Sequence, residues 1–185
     1  DDGRYHLDNG LAPRSSTGDC SAVTNNMGYC GVANNDGFND SLTVSPNERP
    51  FYIFAVTRSD NTSPTFVQWR GASDVAASTA TMTLEVFNLN TGAWESIGTN
   101  TSCAASSGCT LTGSPSGTLS NYYELSGSVY WIYFRVSQAP STSGGLFQTN
   151  VFMFAPTTDL LMRHGAWFDP SSQTADRSQP YFWAD

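Results

Sequence analysis

The segment at residues 81–97, TMTLEVFNLNTGAWESI, constrains the fold most, because it holds two strand patterns separated by a turn. Met82, Leu84 and Val86 alternate with polar residues, which is the period of two expected of a strand with one buried face and one wet face. The cluster NLNTG at 88–92 then permits a tight turn, after which the alternation resumes. These residues predict a β-hairpin.

Further strand patterns occur along the rest of the chain. They are FYIFAVTR (51–58), TFVQWRG (65–71), VYWIYFRVS (129–137) and GLFQTNVFMFA (145–155). The β-branched and aromatic content of 129–137 makes it the expected sheet partner of the hairpin. No window repeats apolar residues at helical spacing over more than two turns. The chain is therefore predicted to be all-β, a β-sandwich of jelly-roll-like character.

Breaks in the strand pattern divide the chain into three parts. Residues 1–49 are interrupted by glycines, which predicts an irregular arm with a disulfide-closed loop. Residues 50–156 are predicted to form the sandwich, and residues 157–185 a tail. The tail is rich in aromatic residues, while Gly165, Pro170 and Pro180 argue against one regular element. A tail this apolar is expected to pack along the sandwich or against a neighbouring molecule.

Four cysteines fall into two close pairs, Cys20 with Cys30 and Cys103 with Cys109. Four cysteines permit three pairings, and the local one is favoured because each pair encloses a short loop rich in small and polar residues. A four-thiolate zinc site is the alternative, although neither pair has the spacing of a zinc knuckle. Disulfides indicate an oxidising compartment, so we expect an extracellular or cell-surface protein.

The charge balance excludes several classes of partner. The net charge is −8, and all eight basic residues are arginines. An acidic chain is repelled by phosphate backbones and anionic lipid, so nucleic-acid binding and membrane-surface binding are not expected. The longest apolar runs are too short to cross a bilayer, and no membrane insertion is expected. With no lysine, the chain lacks the side-chain amine of lysine isopeptide bonds, and we take it to be a mature form.

One loop has the character of a calcium site. The sequence VANNDGFNDSLTV (32–44) resembles the calcium loops of blade-type repeats and dockerins, with Asn34, Asp36, the Phe38 carbonyl and Asp40 at ligand positions. Val32 replaces the first acidic ligand of that pattern. The alternative is a tight turn before a strand, in which Asn, Asp and Gly supply left-handed conformations.

Catalytic patterns are weak. The sequence LMRHG (161–165) resembles the phosphate-binding motif of histidine phosphatases, but only 20 residues follow it and His6 is the one other histidine. Glu85, Glu95 and Glu124 are the candidate carboxylates for glycoside hydrolysis, which needs two of them across one bond. Glu85 and Glu95 are expected on exposed strand faces as solvated charges. We therefore predict that the protein is not an enzyme.

Aromatic residues are the candidates for contact with a ligand or another subunit. If Ile132 and Phe134 face the core, their neighbours on that strand face outward, where they could stack on sugar rings or be covered by a second layer. The predicted contact residues are Trp69, Trp94, Trp131, Tyr133, Trp167, Phe168, Tyr181, Phe182 and Trp183.

The middle of the chain is similar to a recurrent β-sandwich of secreted bacterial proteins. The sequence pattern of that module begins with W-x-G. It continues with V-x-L-x-I-Y-N followed by W-E, and a tyrosine and an R-V pair come later. The matching positions here are Trp69, Gly71, Leu84, Val86, Asn88, Trp94, Glu95, Tyr123 and Arg135. The closing LMRHGAWF and PYFWA also look like the ends of some surface and pilus-associated proteins. The resemblance implies a cell-surface β module of adhesive or filamentous assemblies.

Together these patterns predict a non-catalytic extracellular protein that is structural or adhesive. It would self-associate as a homo-oligomer or filament of pilus-like type, joined by exchange of a strand or tail between subunits. The alternative is a carbohydrate-binding module that binds glycans through exposed Trp and Tyr side chains, with Ca²⁺ as a structural ion.

Overall fold

The computed structural model describes residues 4–6, 40–61, 66–155 and 159–168. These ranges contain eleven β-strands, one 3-10 turn at Leu119–Asn121 and no α-helix. The strands are β1 Arg4–His6, β2 Asp40–Val44, β3 Glu48–Arg58, β4 Phe66–Ser73, β5 Met82–Asn88, β6 Ala93–Asn100, β7 Cys109–Thr112, β8 Glu124–Ser126, β9 Val129–Gln138, β10 Gly145–Ala155 and β11 Asp159–Phe168.

The strands form two antiparallel sheets. The seven-stranded sheet has the order β1-β11-β3-β9-β5-β6, with β8 paired to the start of β9, and the four-stranded sheet has the order β2-β10-β4-β7. The two sheets pack face to face around a common core. The predicted all-β sandwich is confirmed.

The predicted hairpin is the pair β5 and β6. Val86 lies opposite Glu95, and the Oδ1 atom of Asn88 accepts hydrogen bonds from the backbone N–H groups of Asn90 and Thr91 at 2.9 and 3.1 Å. Gly92 completes the turn with φ at 67°. The predicted pairing of the hairpin with β9 is also confirmed.

The sheets extend beyond the predicted boundaries of 50–156. Strand β2 precedes residue 50, and β11 pairs with β3 along its whole length, from Asp159 opposite Thr57 to Phe168 opposite Glu48. Gly165, which with Pro170 and Pro180 argued against one regular element over the whole tail, lies within β11. Pairing with β3 supplies the strand with backbone hydrogen bonds, which outweighs the low strand propensity of glycine.

The core between the sheets is aromatic. The rings of Phe54 and Phe152 stack with centroids 4.1 Å apart, and both contact the cluster that contains Phe134. Trp69 is fully buried beside them, and its indole N–H donates to Thr149 Oγ1 at 2.9 Å. A Cβ on Gly71 would lie 2.2 Å from the Trp69 ring, so the W-x-G pattern reflects an indole packed over a glycine.

The two sheets close against each other at one lateral side. Strand β6 is the edge of the larger sheet and β7 the edge of the smaller, and the backbone of Gly98 approaches the carbonyl of Thr112. A Cβ at Gly98 would lie only 2.4 Å from that oxygen. The lack of a side chain here lets β7 cover the outer edge of β6.

A disulfide joins Cys103 to Cys109, with their Cα atoms 5.6 Å apart. Its loop packs on the connection after β4, where Ala77 N–H donates to the Cys103 carbonyl at 2.9 Å. The local pairing is confirmed for these two cysteines, and a zinc site that includes them is excluded. Cys20 and Cys30 lie outside the described residues, so their pairing stays a prediction.

Replacing both Cys103 and Cys109 by serine should destabilise the protein. The disulfide closes a short loop, and removing it should lower the free energy of unfolding by about 2 to 3 kcal/mol, because the unfolded chain gains conformational freedom. Urea denaturation of the oxidised parent and the double serine variant measures this difference. Equal midpoints would show that the bridge contributes nothing to stability.

Asp74, in the connection after β4, links the disulfide loop to β10 through hydrogen bonds. Its carboxylate accepts hydrogen bonds from the Leu146 backbone N–H at 2.9 Å and from the Ser106 hydroxyl at 2.8 Å. The bond from Leu146, and then that from Ser106, lowers the pKa of the Asp74 carboxyl below its ordinary value of 3.8.

The stabilisation from Asp74 should depend on pH. A carboxyl whose pKa is lower in the folded state stabilises the fold above the unfolded pKa, and this contribution disappears as pH falls through the folded pKa. Asp74→Asn should therefore be less stable than the parent at neutral pH, and the difference should shrink below pH 3.8. Urea midpoints at a series of pH values test this. Ser102→Ala, in the loop between β6 and β7, is the control. A pH-independent difference would contradict the prediction.

Candidate functional site: the outer face of the seven-stranded sheet

The seven-stranded sheet has a second face, directed away from the sandwich core. Tyr52, Phe54 and Val56 of β3 belong to the core cluster, so the alternate residues of this strand point outward. The same alternation applies on β5 and β9, and the register places Trp94 of β6 opposite Phe87 of β5. The residues of this outer face are Phe51, Ile53, Ala55, Thr57, Thr83, Glu85, Phe87, Trp94, Ser96, Trp131, Tyr133, Arg135 and Ser137.

The outer face is buried nearly as deeply as the core. Phe51 exposes 2% of its surface, Ile53 4% and Phe87 none. They form clusters separate from the main core, packed with Trp94 and Trp131. The expectation of one buried and one wet face is therefore wrong for the centre of this sheet. The signal in the sequence was the uninterrupted apolar run at 51–56, which is typical of a strand buried on both faces.

An ion pair lies in the middle of this face. Arg135 donates from Nε to Glu85 Oε2 at 2.6 Å and from an Nη atom to Glu85 Oε1 at 2.8 Å, which is a bidentate arrangement. The side chains are only 7% and 13% exposed, so Glu85 is not the solvated charge that was expected. The Arg135 guanidinium lies 4.7 Å from the centroid of the Trp94 ring, within the range of a cation–π interaction.

A second polar contact lies towards the other end of the face. The Tyr133 hydroxyl donates to Glu124 Oε2 at 3.0 Å across the β8–β9 pairing. Burial, and then the charge of Glu124, raises the pKa of Tyr133 above its ordinary value, so the phenol stays protonated and serves as a donor. This bond fixes Tyr133 beside Phe87 in the outer cluster.

The structure brings together some of the predicted contact residues and separates others. Trp94, Trp131 and Tyr133 meet in one outer cluster, with both tryptophans half-buried. Trp69 lies in the core with no exposed surface, so the prediction that it contacts a ligand or subunit is wrong.

The predicted contact residues of the C-terminal part are only partly described. In β11, Trp167 lies opposite Arg49 and Phe168 opposite Glu48. Tyr181, Phe182 and Trp183 lie outside the described residues.

Glu85 and Glu95, two of the candidate catalytic carboxylates, do not form a pair. Glu85 points outward, where it binds Arg135, whereas Glu95 lies on the opposite face of the same hairpin. Glu95 accepts hydrogen bonds from the Tyr122 hydroxyl at 2.7 Å and from the Asn88 amide at 2.6 Å. Two carboxylates on opposite faces of a sheet cannot act on one glycosidic bond. Desolvation, and then Glu95, raises the pKa of Tyr122.

The edge of this sheet holds an arrangement that the sequence did not reveal. Strand β1 pairs antiparallel with β11, with Arg4 opposite Ala166, Tyr5 opposite Gly165 and His6 opposite His164. The two histidines of the chain thus occupy facing register positions. The RHG sequence of the phosphatase-like motif lies inside β11, between β1 and β3.

The predicted calcium site lies almost entirely outside the described residues. Asn34, Asp36 and Phe38 are not described, and Asp40 begins β2, opposite Thr149. Within the described ranges, no three His, Cys, Asp or Glu side chains converge as metal ligands. In the same ranges, no helix has the length and apolar character needed to span a membrane.

Comparisons of the chain with protein-family models, with curated proteins and with solved structures found no match. The similarity to secreted bacterial β-sandwiches therefore stays a prediction. The outer face and the β1–β11 edge are the candidate sites that the geometry itself provides.

Arg135→Met should be strongly destabilising, because it leaves the Glu85 carboxylate buried without its cation. Removing one partner of a largely buried ion pair typically costs about 3 kcal/mol or more. The double variant Glu85→Met/Arg135→Met should recover part of that loss. Urea denaturation of the parent, the two single variants and the double variant gives the coupling. Additive single effects would contradict the interaction.

Proposed function

We propose that this protein is a non-catalytic subunit of an extracellular assembly, in which the N-terminal strand of one molecule completes the seven-stranded sheet of the next. The observation that carries the proposal is the position of β1. This strand of three residues lies at the edge of the sheet against β11, and residues 7–39 separate it from β2 in the other sheet.

A strand in this position can be exchanged at low cost. The pairing of β1 with β11 uses backbone hydrogen bonds, which are the same whether β1 comes from its own chain or from a second copy. Within the described residues, β1 pairs with only three positions of β11, 164–166. Its detachment therefore disturbs a small part of the sheet, and the outcome depends on protein concentration.

The chemistry of the chain supports a non-covalent joint outside the cell. The Cys103–Cys109 disulfide is suited to an oxidising compartment. Without lysine, subunits cannot be joined by lysine isopeptide bonds, whereas strand addition needs only the backbone. The carbohydrate-binding alternative requires accessible ring faces, but the Arg135 guanidinium already lies over Trp94.

Two variants, each with one added cysteine, test the exchange. Arg4 and Ala166 lie directly opposite each other, and opposed residues of antiparallel strands are close enough for a disulfide. One variant is Arg4→Cys, and the other is Ala166→Cys with a larger tag. The two are mixed at high concentration in a glutathione redox buffer. The expected product is a covalent heterodimer on a non-reducing gel.

The control replaces the acceptor with Leu125→Cys, which is on β8 and 59% exposed but distant from β11. This control should give little heterodimer. If the Arg4→Cys/Ala166→Cys double variant closes only an intrachain bridge and the mixture gives no heterodimer above the control, β1 is bound within its own chain. The proposed exchange would then be wrong.

A further inference from the structure

A cleft opens at the end of the sandwich where β2 passes into β3 and β9 passes into β10. Pro50 and the core residue Phe147 both line it, so it lies between the two sheets. The two loops at its rim are joined, because the backbone N–H of Asn47 donates to the carbonyl of Ser141 at 2.6 Å. The open space is about 240 Å³. Sites for drug-sized ligands begin at about 300 Å³, so this cleft suits one short chemical group.

Glu48 carries the charge of the cleft. Among the described lining residues it is the only charged side chain, and it is half-buried. Its Oε2 atom accepts a hydrogen bond from the backbone N–H of Ser45 at 2.8 Å, whereas Oε1 accepts none from the described part of the chain. Arg49 follows in β3, but alternation directs it to the opposite face, and it does not line the cleft. One carboxylate oxygen is thus held in place and the other is open.

The polar groups deeper in the cleft are already satisfied. The Ser73 hydroxyl donates to Gln138 Oε1 at 2.6 Å. The Gln138 amide in turn donates to the carbonyls of Val75 and Ala80 at 2.9 and 3.1 Å. These bonds fix the floor of the cleft and leave the Glu48 carboxylate as the group available to a ligand.

We infer that this cleft binds a primary alkylammonium group, with the nitrogen on Glu48 and the alkyl stem against the half-buried side chains of Val44 and Val75. An ammonium group needs one open carboxylate oxygen, whereas the fork of a guanidinium uses two. The hydroxyls of Ser141 and Ser143 line the same cleft and offer further acceptors. The inference is independent of strand exchange through β1, because it concerns a different surface.

The charge around the cleft favours a cation. A Cβ on Gly145, which lines the cleft, would lie 3.1 Å from Asp74 Oδ2, so a second carboxylate adjoins it. The net charge of −8 also attracts cations to the molecule. The chain contains no lysine, so another copy cannot supply an alkylammonium side chain. The ligand is therefore a free alkylamine or the lysine side chain of a different protein.

The test titrates the isotope-labelled full-length chain with acetyl-lysine methylamide and, separately, with n-butylamine, at constant pH and ionic strength. We expect saturable NMR shifts of the backbone amides around Glu48 and residues 139–145, with a Kd of roughly millimolar for so small a ligand. The matched ligand is the lysine derivative acetylated on its side-chain nitrogen, which keeps the stem and loses the charge. It should bind about tenfold more weakly or worse.

Three variants assign the binding to the cleft. Glu48→Gln keeps the shape and the acceptor for Ser45 but loses the charge, and its affinity should fall about tenfold. The control Glu124→Gln changes the net charge equally, but it lies at the start of β9, at the opposite end of that strand from the cleft. It should bind like the parent. Val44→Ala should weaken n-butylamine and leave methylamine unchanged, because only the longer stem reaches the apolar wall.

Two outcomes identify the source of the group. Binding of n-butylamine without the lysine derivative indicates a free amine, and binding of the lysine derivative at least as tightly indicates a protein side chain.

Three results would overturn the inference. The first is equal affinity for the charged and the uncharged lysine derivatives. The second is a loss in Glu48→Gln no greater than that in Glu124→Gln, which would reduce the effect to overall charge. The third is tighter binding of acetyl-arginine methylamide than of the lysine derivative, which would rule out selection of an ammonium group. None of these results bears on the exchange of β1.

Discussion

The structure depends on burying both faces of its seven-stranded sheet. Strand β3 is apolar on both sides, with Tyr52 and Phe54 towards the core and Phe51 and Ile53 away from it. A sheet that exposed such a strand would present a wide apolar surface, which is a risk for aggregation. The smaller sheet covers one side, and Phe51 and Ile53 on the other side are nearly as buried as the core between the sheets.

The sequence predicted what local patterns determine. The alternation in β5, the turn after Asn88 and the partnership with β9 were readable because each lies in a short window. The environment of Glu85 could not be predicted from a short window. Its charge is neutralised by Arg135, a residue far along the chain that only strand pairing brings near. Trp69 was misread for the same reason, since the strand pattern alone did not say which layer would bury its indole.

The termini were the hardest parts to predict. Three residues are too few for a period-two pattern, so β1 could not be recognised as a strand, and Gly165 argued against one in β11. Both strands exist through pairing with a neighbour, and the partner of β1 is near the opposite end of the chain. The facing positions of His6 and His164 follow from that pairing alone.

The approach of Gly98 to Thr112 makes the two lateral sides of the molecule unequal. Strand β7 lies against one rim of the larger sheet, whereas the three-residue strand β1 forms the other rim against β11. In the proposed exchange, β1 would be the donor and β11 the acceptor of each copy, so the joined copies would have a head and a tail. Copies joined in this way would all point in one direction, and the rim where Gly98 lies against Thr112 would take no part in the joint.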